Sequence, residues 1–309
     1  MCGIIGFLEK RPQEQRTLGA TLLTMLEALS CRGPDSAGVA LLGPRQAGWV
    51  LQVKLPDDGE TDAAGAILAQ FQDKGMVVRH EATGAYLRLE FTTGMEALAL
   101  EKHLLARVPG VELVSLGHRL EIVKQVGSPA QLEQTYGISR RTGSHGIGHT
   151  RLSTESRVDL SHSQPFWAHG VPDLATVHNG HITNYHKLRR RYEQRGYRFF
   201  TDNDSEVIGV YLRDRMSAGM PLADALRSSL DDFDGSFSYL AASADSVAYV
   251  RDRYGFKPLM LAETGDFVAI ATEEIALRQA FGSDFVVREP APGTMAVWSL
   301  PAVEKAMAS

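Results

Sequence analysis

Two cysteines among 309 residues are too few for a disulfide framework, so a reducing compartment is expected and the location is read as cytoplasmic. No apolar run reaches the roughly 18 residues that a membrane span needs. The opening MCGIIGFLEKRPQEQ has no basic n-region and no long apolar core, so neither signal peptide nor anchor is expected. Positive charge is in deficit. Lys plus Arg number 32 against 37 Asp plus Glu, a net charge of -5, which excludes a whole-protein footprint for nucleic acid or an anionic membrane. No GxGxxG follows a strand, and no GxxxxGK[ST] occurs to cradle phosphates. His145, His149, His162, His169, His178, His181 and His186 crowd one stretch, yet none forms HExxH or a Cys/His ligand spacing, so no metal is expected.

What remains is a globular composition, 44% hydrophobic and 22% charged, in a chain longer than the usual single domain. GIIGFL at 3–8 reads as a buried strand. Leu18, Leu22, Met25, Leu26 and Leu29 then recur at helical spacing until Arg32-Gly33-Pro34 stops the helix. Short β-rich runs begin at 37, 174, 236, 246, 266 and 294, several joined by tight turns around Asp245 and Gly265, which favours antiparallel hairpins. Helical patterns fall at 184–195, 204–217 with Asp204 and Ser205 as caps, 221–230 and 273–280. Antiparallel strands with segregated helices predict an α+β fold. Residues 43–143 have their own texture: helix at 61–73, strand at 76–91, helix at 95–107 and a hairpin at 111–126. They are expected to form a small α+β subdomain inserted into the domain made by 1–42 and 144–309. The basic run KLRRRYEQRGYR at 187–198 has helical spacing and is read as a solvated helix face.

Cys2 is the residue with the most chemistry. Removal of Met1 would present a thiol with pKa near 8.5 beside an α-amine with pKa near 7.7 to 8.0, close enough for the amine to serve as the thiol's base. Four polar clusters follow apolar strands: CRGPDSAG at 31–38, GHTRLST at 148–154, HNGHITNY at 178–185 and DNDSEVI at 202–208.

Together with MCGI, DGSFS, RDRYGFKPL and ATEE, these clusters resemble the glutaminase domain of the class II glutamine amidotransferases, members of the N-terminal nucleophile hydrolases. The resemblance covers residues 1–42 and about 144–298 and leaves the insertion out. It implies a four-layer αββα sandwich of antiparallel sheets and hydrolysis of L-glutamine. By resemblance Cys2 is the nucleophile, and the Asn179 side chain with the Gly180 backbone N–H forms the oxyanion hole. Arg151 clamps the substrate α-carboxylate, with Thr154 beside it. Asp204 takes the α-ammonium and Arg32 shapes the nucleophile pocket. The plainer roles are a surface ion pair for Arg151 and a helix cap for Asp204. His149 and His178 are read as loop-positioning residues and Cys31 as a packed thiol.

Only eleven residues follow Trp298, so the acceptor of the ammonia is expected on another polypeptide. The chain resembles the free-standing small subunits of glutamate-synthase-type complexes, N-methylglutamate synthase among them. A hetero-oligomer with synthase-type subunits is therefore expected, with no cofactor in this chain and FMN or an iron–sulfur cluster reserved for the partners. Two rivals stand beside this reading. One is a non-catalytic assembly subunit, which retention of Met1 would favour. The other is an N-terminal cysteine hydrolase of a different amide, against which Arg151, Asp204 and the HNG run argue.

Overall fold

The computed structural model describes residues 2–11, 17–56, 63–72, 78–108, 110–152 and 157–301. The strands in chain order are β1 (Gly3–Glu9), β2 (Ser36–Leu42), β3 (Trp49–Lys54), β4 (Val78–Thr83), β5 (Tyr86–Phe91), β6 (Glu112–Gly117), β7 (Leu120–Val126) and β8 (His145–Arg151). They continue as β9 (Phe166–Trp167), β10 (Ala175–Ile182), β11 (Gly235–Ala242), β12 (Ser246–Arg251), β13 (Met260–Glu263), β14 (Phe267–Ala271), β15 (Val287–Arg288) and β16 (Thr294–Ser299). The helices are α1 (Leu18–Ala28), α2 (Ala63–Gln72), α3 (Ala97–Arg107), α4 (Pro129–Tyr136), α5 (Tyr185–Gln194), α6 (Glu206–Ser217), α7 (Leu222–Asp232) and α8 (Glu274–Phe281). None of the described helices is long and apolar enough to cross a membrane.

Two antiparallel sheets stack face to face. One has the order β15-β13-β14-β1-β8-β2-β7, the other β16-β12-β11-β10-β9. Strand β1 reads as an unbroken apolar run because both its faces are covered: α1 packs on one, and β10, β11 and β12 of the second sheet on the other. Gly6 marks the sheet-to-sheet contact, since a Cβ there would lie 3.1 Å from Leu240 of β11. Helices α1, α4 and α8 cover the first sheet and α6 and α7 the second, giving four αββα layers. Helix α1 starts where the Thr17 hydroxyl accepts from Ala20 N at 3.2 Å. It buries Leu22, Met25 and Leu26 completely, each contributing about 1.5–3 kcal/mol through burial. The expected turns are present, β11 to β12 through Asp245 and β13 to β14 through Gly265.

A third sheet, β4-β5-β3-β6, carries α2 and α3 and comes entirely from the expected insertion. Two expectations for that region change. The single strand expected at 76–91 is the hairpin β4/β5, reversed at Gly84, whose φ of 57° suits glycine. The hairpin expected at 111–126 does not form: β6 pairs with β3, while β7 leaves for the first sheet and pairs with β2 from Ser36↔Val126 to Leu42↔Leu120. The buried Asp173 carboxylate sits at the parting point. It accepts the backbone N–H groups of His118 (2.9 Å), Arg119 (2.8 Å) and Leu120 (2.8 Å), and so holds the turn where the chain changes sheets. Helix α4 packs on β2 and β7, and one apolar cluster runs from Leu51 and Leu116 of the small sheet to Ile122 and Leu41 of the large one. The lobe is thus built onto the edge of the sandwich.

Candidate active site

Cys2 precedes β1, and the register Gly3↔Thr150 sets it beside the end of β8, its Sγ 3.8 Å from the Leu152 carbonyl oxygen. Arg151 ends β8 and is only 4% exposed, so it is not the surface ion pair that was the plainer alternative. Its Nη1 donates to the Arg157 carbonyl at 3.0 Å. Burial lowers the Arg151 pKa from the ordinary arginine range, offset in part by Cys2, Asp159 and Asp35 nearby.

The RGPDS segment clasps this strand end. A Cβ on Gly33 would lie 2.5 Å from the Arg151 amide nitrogen, so only glycine lets the turn rest on the Thr150–Arg151 peptide. Asp35 N then donates to Arg151 O at 3.0 Å, and Arg32 reaches back to the Cys2 carbonyl at 3.4 Å while pairing with Glu273. Cys31, expected as a packed thiol, is exposed: it lies in the turn after α1, past the last core-facing residue, Leu29.

The second sheet supplies β10, with His178, Asn179 and Gly180 near its end. Gly180 has φ 131°, and a Cβ there would strike the Ser236 carbonyl oxygen across the ladder, so the position demands glycine twice over. Asn179 is 3% exposed, and its Nδ2 makes no hydrogen bond among the described residues. A buried amide donor left unbonded costs about 1–3 kcal/mol and is a mark of functional sites.

The third wall is the segment before α6. The Glu206 carboxylate accepts from Phe200 N (2.7 Å), Thr201 N (2.8 Å) and Thr201 Oγ1 (2.8 Å), and so fixes the chain that leads to Asp204. Neither expected cap operates. Ser205 is the N-cap residue, but its Oγ is engaged by His178 Nδ1 at 2.8 Å and Gln164 Nε2 at 3.1 Å. Asp204 turns to β10, accepting from Ile182 N at 2.8 Å with His181 Nδ1 at 3.3 Å. Gln164 also grips the His178 backbone, donating to its carbonyl (3.1 Å) and accepting from its N–H (2.6 Å). His149 Nε2 lies 3.2 Å from that same carbonyl. Burial pushes the His149 pKa down to about 3, aided by the Arg151 charge, and burial also lowers that of His178 against the pull of Asp204. Two neutral imidazoles therefore brace these loops.

Cys2, Arg151, Gly180 and Asp204 line one cavity of about 560 Å³, which presents a thiol, a guanidinium and a carboxylate to a single occupant. Asn179 adjoins Gly180 in β10, Arg32 bonds the Cys2 carbonyl, and Thr154 lies outside the described residues. The cavity also takes Gln164, to which the sequence reading gave no role, and Ser205, which it read only as a helix cap; Glu206 follows Ser205 in the chain. Gln164 carries no local signal, and that of Ser205 pointed to a cap rather than to the site. Glu206 could have been found as an acid in the first turn of a helix. The basic run of 187–198 behaves as expected, with Leu188 and Tyr192 of α5 buried and Arg189 bonded to Glu193 on the solvent side.

Residues 149–279 match the model of a glutamine amidotransferase domain. The chain is 34% identical to a protein of Methanothermobacter thermautotrophicus named "Putative glutamine amidotransferase", over 97% of this chain and 100% of that one. It is 34% identical to the glutamine amidotransferase-like protein GlxB of Rhizobium meliloti, over 96% of this chain and 98% of that one. Among solved structures, the glutamine phosphoribosylpyrophosphate amidotransferase from B. subtilis superposes with a TM-score of 0.64 at 20% identity, which is a likeness of fold. It covers 96% of this chain, and this chain spans about half (47%) of that one.

Proposed function

The chain belongs to the class II glutamine amidotransferases, and we propose that it hydrolyses L-glutamine to glutamate and ammonia through a thioester on Cys2. The observation that carries this is the convergence of Cys2, Arg151, Gly180 and Asp204 on one cavity, although they come from distant parts of the chain. Arg151 offers a fork for an α-carboxylate and Asp204 a partner for an α-ammonium, so the cavity matches a zwitterionic amino acid rather than a peptide amide. Thr154 is assigned beside the carboxylate, and Arg32 holds the Cys2 backbone.

With Met1 removed, the Cys2 α-amine takes the thiol proton as sulfur attacks the side-chain amide carbon. The Asn179 Nδ2–H, buried and unbonded, and the Gly180 N–H meet the developing oxyanion. Collapse breaks the C–N bond, and the proton held by the α-amine leaves with ammonia. Water then attacks the thioester, returning glutamate and the free thiol.

The ammonia passes to a synthase-type partner in a cytoplasmic hetero-oligomer of the glutamate synthase or N-methylglutamate synthase kind, the partner bearing any FMN or iron–sulfur cluster. Intact and N-terminal peptide mass, combined with ammonia release from glutamine, tests the first half of the proposal. Co-purification of the tagged chain with flavin- or iron–sulfur-containing subunits tests the second. A chain that keeps Met1 and releases no ammonia would overturn the glutaminase reading.

A further inference from the structure

Two loops wall the proposed glutamine cavity, residues 157–163 and 200–205, and each is tied to the inserted lobe by one glutamate. The first loop is closed on itself by Asp159, which accepts from His162 N at 2.9 Å and lies 2.7 Å from His162 Nδ1. It touches both halves of the cavity. Arg151 donates to the Arg157 carbonyl at 3.0 Å, and Asn203 Nδ2 donates to the His162 carbonyl at 3.3 Å. From its outer side Ser161 Oγ donates to Glu112 Oε2 of β6 at 2.5 Å. The second loop follows Phe200, whose ring stacks on His169 with centroids 4.2 Å apart and planes at 22°. His169 Nδ1 in turn lies 2.7 Å from Glu101 Oε1 of α3.

Glu101 is not where packing alone would put a carboxylate. Glu101 is 4% exposed and shares the buried face of α3 with Ala97, Leu100 and Leu104, where an apolar side chain would avoid the desolvation of a carboxylate. Its second oxygen, Oε2, is buried without a hydrogen bond. Glu112 is half-buried at the start of β6, where its Oε1 lies 4.0 Å from the ammonium of buried Lys124 and its Oε2 is left for Ser161.

Resting on the glutamine reading given above, we propose that the inserted lobe is an alignment frame for the amino-acid clamp. Glu112, through Ser161, sets the loop that buttresses Arg151. Glu101, through His169 and Phe200, sets the segment that carries Asp204. Both glutamates are positioning residues, since neither touches the cavity. Two lobe elements, α3 and β6, reach two different walls, so displacement of the lobe changes how tightly an α-amino acid is read and leaves the thiol's reactivity alone.

The test uses the full chain carrying Cys31→Ser, so that Cys2 is the sole thiol. Glu101→Leu and Glu112→Leu remove the two tethers, whereas Glu101→Gln and Glu112→Gln keep an acceptor oxygen for His169 and Ser161. Ser161→Ala and His169→Phe cut the same bonds from the loop side, and the latter keeps the ring stack. Cys2 is alkylated by 6-diazo-5-oxo-L-norleucine, which carries the α-carboxylate and α-ammonium, and separately by iodoacetamide, which carries neither. The Leu, Ser161→Ala and His169→Phe variants should raise the half-saturating concentration of the first reagent about tenfold, with its limiting rate and the iodoacetamide rate unchanged. The Gln variants should stay within about threefold of the parent. Hydrogen exchange should quicken in peptides covering 157–163 and 198–206 and stay as in the parent in β1 and β10. Parent-like saturation in all the tether-cutting variants, or exchange unchanged in those two segments, would overturn the proposal. If the parent itself resists 6-diazo-5-oxo-L-norleucine while exchange quickens only in those segments, the glutamine reading falls and the frame stands.

Discussion

Replacing Arg151 by alanine separates substrate reading from thiol chemistry. The side chain is 4% exposed and faces the cavity that holds Cys2 and Asp204, so a carboxylate seated against it is bound with little competition from water. A charge-assisted hydrogen bond of this kind contributes about 1.5–3 kcal/mol, and at roughly 1.4 kcal/mol per decade its loss raises KM for glutamine about 10- to 150-fold. Arg151→Lys keeps the charge without the planar fork and should fall between wild type and alanine. Asp204→Asn removes the charge from the opposite wall while keeping an oxygen for the Ile182 N–H, so it should raise KM by a similar factor with the loop in place. The assay is glutamate and ammonia release against glutamine concentration, with KM and kcat resolved, alongside iodoacetamide labelling of Cys2. Labelling should persist in all three variants. A wild-type KM in both Arg151→Ala and Asp204→Asn would show that the α-carboxylate and α-ammonium are read elsewhere. A fall in kcat at constant KM would place Arg151 in the chemical step instead.

Cys2→Ala should abolish glutamine hydrolysis and capture of glutamine-like electrophiles while the melting temperature stays within a few degrees, because Cys2 is only half-buried; substantial residual ammonia release would end the mechanism. Gly180→Ala forces a side chain into φ 131° and against the Ser236 carbonyl, so kcat should fall by an amount on the order of 3 kcal/mol in the barrier, and unchanged kcat in a folded variant would remove Gly180 from the oxyanion hole. Acid should destabilise the fold through its buried histidines. Burial holds His145 at about 4 and His149 at about 3, both below the unfolded value near 6.5, so the unfolded chain binds more protons and stability drops as pH falls from about 6.5 toward those values. For His145 the full loss is on the order of 3 kcal/mol, and a melting temperature constant between pH 6.5 and 4.5 would contradict it.

Most of the sandwich was legible because its periodicities are local. The unbroken apolar run of β1, the Leu22, Met25 and Leu26 stripe of α1 and the turns at Asp245 and Gly265 each announce an element without reference to the rest of the chain. The stretch from 111 to 126 failed for the opposite reason. Its two strands and the short connection between them look like a hairpin, whereas their actual partners, β3 and β2, and the carboxylate that holds the turn, Asp173, are all distant in sequence. Sequence separation of that kind leaves no periodic trace.

The same distinction runs through the site. The site residues were read through the family resemblance of their motifs, and the structure shows why two motif glycines admit no other residue: Gly33 because the turn lies on the Arg151 peptide, Gly180 because of its φ and the Ser236 carbonyl. Arg32 beside Gly33 and Asn179 beside Gly180 were read from the same motifs, by resemblance. Gln164, Ser205 and Glu206 act differently. Each satisfies a backbone or side-chain group by an ordinary hydrogen bond that many residue types could replace in principle, and nothing in their own flanking sequence says which group needs satisfying. Glu101 and Glu112 lie a further step out, since their partners His169 and Ser161 are reached only through the packing of the lobe. Legibility therefore falls in steps from the groups that face the cavity, to the groups that hold those, to the lobe that holds the loops. Substitutions should follow the chemistry of each group: changes at Cys2 and the oxyanion donors alter kcat or abolish capture, changes at Arg151 and Asp204 raise KM, changes in the groups that hold them mix kcat with KM, and changes in the lobe glutamates move KM alone.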